Sequence, residues 1–247
     1  MTAPPTPLGL KLVVIGPAQS GKTQLIRRFC LGPSGFTTSY IETIGVDVGI
    51  HPVHLPSLGL ADNGDGDRLG SDVEAGPTVH LHLWDMAGPE VYADVRRQLY
   101  DDVDGILLVY DASDANSVHQ LERWVVELEE CARLRGEEER RLIPPGVVVA
   151  NKIDLRGHSY VSVPPSPQSG VTDGHPSLSP VKTATPRTKR RGQAFATHHG
   201  LAWIATSAKS GLGVEEAFAT VIARAVSESN RATRLERDAA EEALERF

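Results

Sequence analysis

A chain of 247 residues with 40% hydrophobic and 23% charged residues is long enough for one sizeable α/β domain carrying insertions. Its net charge of −7 and the lack of a long Lys/Arg block argue against a surface built for nucleic acid or anionic lipid, and no apolar run approaches the roughly 18 residues a membrane span needs. Cys30 and Cys131 stand in no paired or metal-ligand spacing, which fits a reducing compartment.

The opening MTAPPTP has no basic-then-apolar leader, and Thr2 follows the initiator methionine where myristoylation needs glycine. Residues 1–9 are expected to be a flexible N-terminus. Short β-rich runs at 10–15, 105–110, 147–150 and 201–206 alternate with helix-period stretches, as when parallel strands are covered on both faces by crossover helices. Residues 120–135 place Leu121, Val125, Leu128 and Ala132 at helical spacing, and residues 214–225 do the same with Val214, Phe218, Val221 and Ala225. Residues 46–55 and 79–83 read as an antiparallel strand pair at the sheet edge, the second alternating as Val79, Leu81, Leu83.

Three stretches interrupt this pattern. Residues 56–77, rich in Gly and Asp, read as an expanded, mobile hairpin loop, and residues 136–145 as a charged connection. Residues 158–191 hold repeated Pro, Ser and Thr with too little apolar content for a core, which predicts a disordered insertion without catalytic duty, at about 158–189. The cluster Lys189, Arg190, Arg191 reads as the solvated start of the next helix rather than a nucleic-acid patch. Residues 227–247 continue as a charged helix with a thin stripe of Leu235, Ala239 and Leu244, read as a solvated extension in preference to a partner-docking helix.

GPAQSGKT, residues 16–23, fits G-x-x-x-x-G-K-S/T after a predicted strand and at the start of a predicted helix. The segment Gly16, Pro17, Ala18, Gln19, Ser20, Gly21 can turn backbone N–H groups toward phosphate oxygens. Lys22 would reach the β and γ phosphates, and Thr23 would supply a Mg²⁺ ligand. The plain alternative is a Gly-rich turn capping an ordinary helix. NKID, residues 151–154, follows an apolar strand and stands at the ligand crevice of an open α/β sheet. Asp154 can accept two hydrogen bonds from N1–H and the exocyclic amine of guanine, a donor pair adenine lacks. Asn151 can brace the phosphate loop, and the stem of Lys152 can lie across the purine. A strand-ending turn also often contains Asn and Asp, so the weight of NKID comes from its position. In TSAKS, residues 206–210, the Ala208 N–H can donate to guanine O6 with Ser207 and Lys209 supporting the loop. Asp85 ends a strand and can hold Mg²⁺ through water, Gly88 can offer its N–H to the γ-phosphate, and Thr43 can place its hydroxyl on Mg²⁺ and its N–H on that phosphate. Phe36 could stack edge-on against the base, though loop aromatics as often simply pack.

Taken together these segments resemble the Ras superfamily of small GTPases, and YIETIGVD with the overall spacing is most similar to its Rab branch. TIGVDVGI, WDMAGPEVYADVRRQLYDDVDGILLVYD and VVVANKIDL resemble the RJL group of Rab-like proteins, some of which carry a C-terminal J domain. This chain is expected to hold none, because it ends before one could begin. A second resemblance, through the proline near the phosphate loop and IPPGVVVANK, is to intraflagellar-transport Rab-like GTPases. The likeness covers residues 10–155 and 190–226. It implies a P-loop small G domain at 10–226: a three-layer α/β/α fold with a mostly parallel six-stranded sheet and one antiparallel edge strand. It also implies GTP/GDP and Mg²⁺ as cofactors, with protein effectors and an exchange factor or GTPase-activating protein as partners.

A monomer is expected, in the cytoplasm. Rab proteins normally end in prenylated cysteines, whereas ALERF has none, so no lipid anchor is expected and recruitment to membranes or flagellar structures would go through partners. The family's glutamine orients the attacking water; here Pro89 stands in its place, with neither polar side chain nor N–H. Ala18 occupies a position where many relatives have glycine, leaving less room for the transition state or an arginine finger. Hydrolysis is therefore expected to be slow, unless Glu90 or a partner supplies the missing group. Two alternatives stay open: a constitutively GTP-bound scaffold, and a P-loop ATPase or kinase.

Overall fold

The computed structural model describes residues 8–58, 60, 78–134, 143–155 and 186–245. One sheet is built from β1 (Leu8–Ile15), β2 (Val46–His54), β3 (Thr78–Met86), β4 (Gly105–Asp111), β5 (Gly146–Asn151) and β6 (Ala202–Ala205), in the spatial order β2-β3-β1-β4-β5-β6. Every neighbouring pair is parallel except β2 with β3 at the edge. Strand order reverses on the two sides of β1, which opens a crevice beyond the carboxyl ends of the strands.

The strands alternate between two apolar layers because side chains point to opposite faces with period two. Leu10, Leu12 and Val14 of β1 join Leu107 and Val109 of β4 on one face. That face is covered by α1 (Lys22–Leu31) through Leu25 and by α6 (Val214–Glu245) through Phe218, Val221 and Ile222. Val13 and Ile15 join Ile106, Leu108 and Tyr110 on the other. Its cover comes from α4 (Leu121–Leu134), through Leu121, Trp124, Val125 and Leu128, and α5 (Pro186–His198), through Ala196. Two short helices complete the described set, α2 (Ala93–Arg97) and α3 (Ala115–His119). The stripes predicted over 120–135 and 214–225 are buried, each large apolar side chain contributing about 1.5–3 kcal/mol. This is the expected three-layer α/β/α fold with one antiparallel edge pair.

Some boundaries differ from expectation. β1 starts at Leu8, where the N-terminus was expected to be flexible, because Leu8 and Gly9 extend the parallel ladder against Val79 and His80 of β3. The insertion expected at 56–77 does not leave the domain at once. Leu55–Leu58 forms a 3-10 turn closed by Leu60 N–H on the Leu55 carbonyl at 3.1 Å, and Leu58 and Leu60 pack on the core. Its remainder, 59 and 61–77, lies outside the described residues, as do 135–142 and 156–185, the bulk of the other two predicted interruptions.

α5 begins at Pro186, ahead of the expected end of the second insertion at about 189. Proline suits the first helical turn, where its missing N–H costs nothing, and Thr188 is buried. Lys189, Arg190 and Arg191 therefore lie inside the helix. Lys189 sits 5.6 Å from the Trp203 ring centroid, and Arg191 hydrogen-bonds His119. The expected charged extension at 227–247 continues α6 without a break to Glu245, with 246–247 outside the described residues.

Candidate nucleotide-binding site

The crevice holds a cleft of about 540 Å³, within the size range of small-molecule sites. Ala18, Gln19, Gly21, Lys22 and Thr23 form its floor, with Gly88, Pro89 and Thr43 at one end and Asn151, Lys152, Asp154, Ala208 and Lys209 at the other. Phe36 lies on the wall. Segments separated by more than a hundred residues thus meet as the motifs predict.

Backbone requirements fix the phosphate loop. Gly16 has φ 141°, and a Cβ there would meet the Val109 carbonyl oxygen at 2.0 Å. Gly21 has φ 92°, so both positions need glycine. Gln19 adopts the left-handed region at φ 62°. The Lys22 amine is buried and donates to the carbonyls of Gly16 at 2.9 Å and Pro17 at 3.0 Å. Burial pulls its pKa down from 10.5 to about 8, against the opposing charge of Asp85 and with help from Arg96 and Arg123. Ser20 is buried with no partner for its hydroxyl among the described residues.

At the far end, Asn151 ties three loops together. Its Nδ2 donates to the Ser20 carbonyl at 2.9 Å, and its Oδ1 accepts from Thr206 Oγ1 and from Ala208 N–H, both at 3.2 Å. The Ala208 N–H, expected to be open to a base oxygen, is thus turned to Asn151 and would have to be shared. Ser207 does not line the cleft; its hydroxyl donates to Asp154 Oδ1 at 2.7 Å and aims that carboxylate.

Near the phosphate loop three oxygens converge. Thr23 Oγ1 donates to Asp85 Oδ2, Thr43 Oγ1 donates to the same oxygen at 3.2 Å, and the two hydroxyls are 3.1 Å apart. Asp85 Oδ1 is buried without a hydrogen-bond partner among the described residues. Burial raises the Asp85 pKa, partly offset by Thr23, Lys22 and Thr43. Hard oxygen donors with one unsatisfied carboxylate oxygen suit Mg²⁺.

These positions correspond to a family model. The model of the Ras family matches residues 11–227. The chain belongs to the Ras family. It is 31% identical over 212 residues to the Ras-related protein RAB1BV of Beta vulgaris, covering 86% of this chain and 74% of that one. Human Ras-related protein Rab-8B is 29% identical over 221 residues, covering 90% and 80% respectively. Human DnaJ homolog subfamily C member 27 is 28% identical over 213 residues, covering 86% of this chain; the chain spans 60% of the length of that relative. The likeness to Rab-like small GTPases, the J-domain-associated group included, therefore stands. Proteins of the Ras family are in general small GTPases.

In this Ras-family chain several site residues carry no motif signal. Asp111, at the end of β4, takes the Lys152 amine at 2.8 Å and so holds its stem along the cleft. Gln24 grips Thr37 twice, Oε1 accepting from its N–H at 2.9 Å and Nε2 donating to its hydroxyl at 3.0 Å, which fixes the chain next to Phe36. Arg28 Nη2 donates to the Ser210 carbonyl at 3.0 Å. A second, polar cavity of about 450 Å³ adjoins the phosphate loop, lined by Pro17, Ala18, Gln19, Gly88, Pro89, Glu90 and Arg123 among others. Glu90 faces this second cavity and pairs with Arg123 at 3.6 Å.

Proposed function

We propose that the cleft binds GTP and GDP with Mg²⁺ and that the chain is a guanine-nucleotide switch whose hydrolysis is slow or partner-assisted. The observation that carries this reading is the meeting of Lys22 and Asp154 on one cleft of the right size, joined through Asn151. Asp154, aimed by Ser207, accepts from guanine N1–H and its exocyclic amine. Lys152 covers the purine face, and Lys22 gives up two backbone carbonyls for phosphate oxygens. Thr23, Thr43 and Asp85 would hold Mg²⁺, Asp85 through water. When bound, Mg²⁺ neutralises charge on the phosphate oxygens. Membership in the Ras family argues against the ATPase or kinase alternative.

Pro89 supplies no group to orient a water, and its carbonyl is taken by Arg96 at 2.8 Å. Glu90 is 68% exposed and engaged with Arg123. Neither presents a water-orienting group to the cleft, and the chemistry in this class is positioning and electrostatics. Tyr40, Ile41 and Ile44, exposed at 61, 76 and 79%, lie on the loop that carries Thr43. They are the surface on which an effector would read the nucleotide, with the chain recruited from the cytoplasm through such partners.

Single-turnover GTP hydrolysis by the purified protein tests the reading, with a slow rate expected and a fast one contradicting it. That neither Pro89 nor Glu90 presents such a group also favours a second reading, a scaffold that stays GTP-loaded. Nucleotide extracted from the protein in cells separates the two, since GTP alone favours the scaffold and a GDP/GTP mixture the switch.

A further inference from the structure

Three consecutive carbonyls at the Gly88 turn are each held by a guanidinium from elsewhere in the fold. Arg96 Nη1 donates to the Ala87 carbonyl at 3.1 Å and to the Pro89 carbonyl at 2.8 Å. Arg123 Nη2 donates to the Gly88 carbonyl at 3.2 Å. Arg96 is fully buried. Its Nε and Nη2 form a bidentate pair with Glu127 of α4 at 3.0 and 2.8 Å, and Tyr100 donates its hydroxyl to the same carboxylate at 2.7 Å. The guanidinium lies 4.4 Å from the Trp124 ring centroid. The turn is seated on the phosphate loop so closely that a Cβ at Gly88 would meet Ala18 N at 2.3 Å and Ala18 Cα at 2.6 Å.

The Thr43 loop meets that turn at its end, where the Ala87 N–H donates to the Gly45 carbonyl at 2.9 Å, and is held differently around Thr43. Thr43 hydrogen-bonds through Thr23 and Asp85, the very groups that would surround a metal and a terminal phosphate, while Tyr40, Ile41 and Ile44 face solvent.

We propose that Arg96, braced by Glu127 and Tyr100, is a positioning residue that keeps the Gly88 turn in place in both nucleotide states, so that the Thr43 loop alone answers to the terminal phosphate. The proposal rests on the reading of the cleft as a guanine-nucleotide site. Releasing the turn would strip a buried cation of two charge-assisted hydrogen bonds, whereas loss of the γ-phosphate removes only one bond from the Gly88 N–H. The turn therefore stays put, and the nucleotide state is displayed on one loop instead of two.

Amide hydrogen exchange on the full chain, loaded with Mg²⁺ and either GDP or a non-hydrolysable GTP analogue, tests this. Amides of residues 39–45 should exchange about tenfold or more slowly with the analogue, while those of Gly88 and 90–92 should differ by less than about twofold. In Arg96→Lys, which keeps the charge but cannot reach Glu127 and both carbonyls together, the 88–92 segment should become nucleotide-dependent while the response at 39–45 persists. Should Arg96→Lys fail to fold, Arg123→Ala, at a half-exposed side chain, frees the Gly88 carbonyl and should raise the nucleotide dependence of that amide. Equal responses of both segments in the wild type, or variants that leave 88–92 indifferent to nucleotide, would overturn the proposal while the cleft assignment stood. If neither nucleotide binds, both readings fall.

Discussion

Asn151 Nδ2 donates to the carbonyl of Ser20 at 2.9 Å, across 131 residues of chain. The same side chain accepts from Ala208 N–H and Thr206, so a single amide registers the phosphate loop against the two strand ends that shape the other half of the cleft. Asn151→Ala leaves a buried carbonyl and a buried N–H unpaired, and should cost about 1–3 kcal/mol of stability. GDP affinity should fall about tenfold or more through the loosened loops. Urea unfolding and titration calorimetry with GDP read the two effects; a variant of unchanged stability and affinity would show that the amide is not the tie.

Glu127→Ala should be more damaging. It leaves Arg96 buried without its counter-charge, a change that typically costs about 3–5 kcal/mol. The double variant with Arg96→Met should be less destabilised than the sum of the single changes, because the stranded charge is gone. Additive losses in thermal unfolding would contradict the coupling.

How much of this was legible in the sequence depends on the range of the interaction. The phosphate loop, NKID and TSAKS are contiguous motifs whose residue types are forced by local geometry, such as φ 141° at Gly16 and 92° at Gly21. Likewise Leu121, Val125 and Leu128 announce their buried face by helical spacing. Arg96 and Glu127 were invisible: two ordinary charged residues 31 positions apart, in helices whose periodicity marks only apolar positions. Asp111 with Lys152, and Gln24 with Thr37, escaped for the same reason. The start of α5 was hidden by composition, because Pro186 and Thr188 look like the Pro- and Thr-rich insertion before them, yet serve a helical first turn. Glu90 reads as a water-orienting candidate from its place beside Pro89, whereas the fold pairs it with Arg123.

Lys22 carries a pH signature. Burial brings its pKa to about 8 from 10.5, so in the empty protein the unfolded chain binds more protons between those values and this group makes stability rise with pH across that window. Nucleotide binding works in the opposite sense, since phosphate oxygens favour the charged amine. Affinity should approach its full value well below pH 8, at about pH 7 and lower, and be about fourfold weaker at pH 8.5 than at pH 7. Calorimetry at pH 8.5 in buffers of different ionisation enthalpy should register proton uptake on GDP binding; none would contradict the buried amine.

Pro89→Gln places a water-orienting amide beside the terminal phosphate. Its carbonyl anchor to Arg96 is a backbone contact and survives the change. Single-turnover hydrolysis should accelerate about tenfold or more with GTP affinity little altered. An unchanged rate would place the limitation elsewhere, Ala18 being the next position to substitute.

The most direct measurement is a pair of titrations by calorimetry, GDP and ADP, each with Mg²⁺, into the wild type and Asp154→Asn. A carboxylate aimed at N1–H and the exocyclic amine should make GDP bind at least about a thousandfold more tightly than ADP, and most of that preference should vanish in Asp154→Asn. Equal affinity for the two nucleotides, no binding of either, or a preference untouched by the substitution would contradict the account.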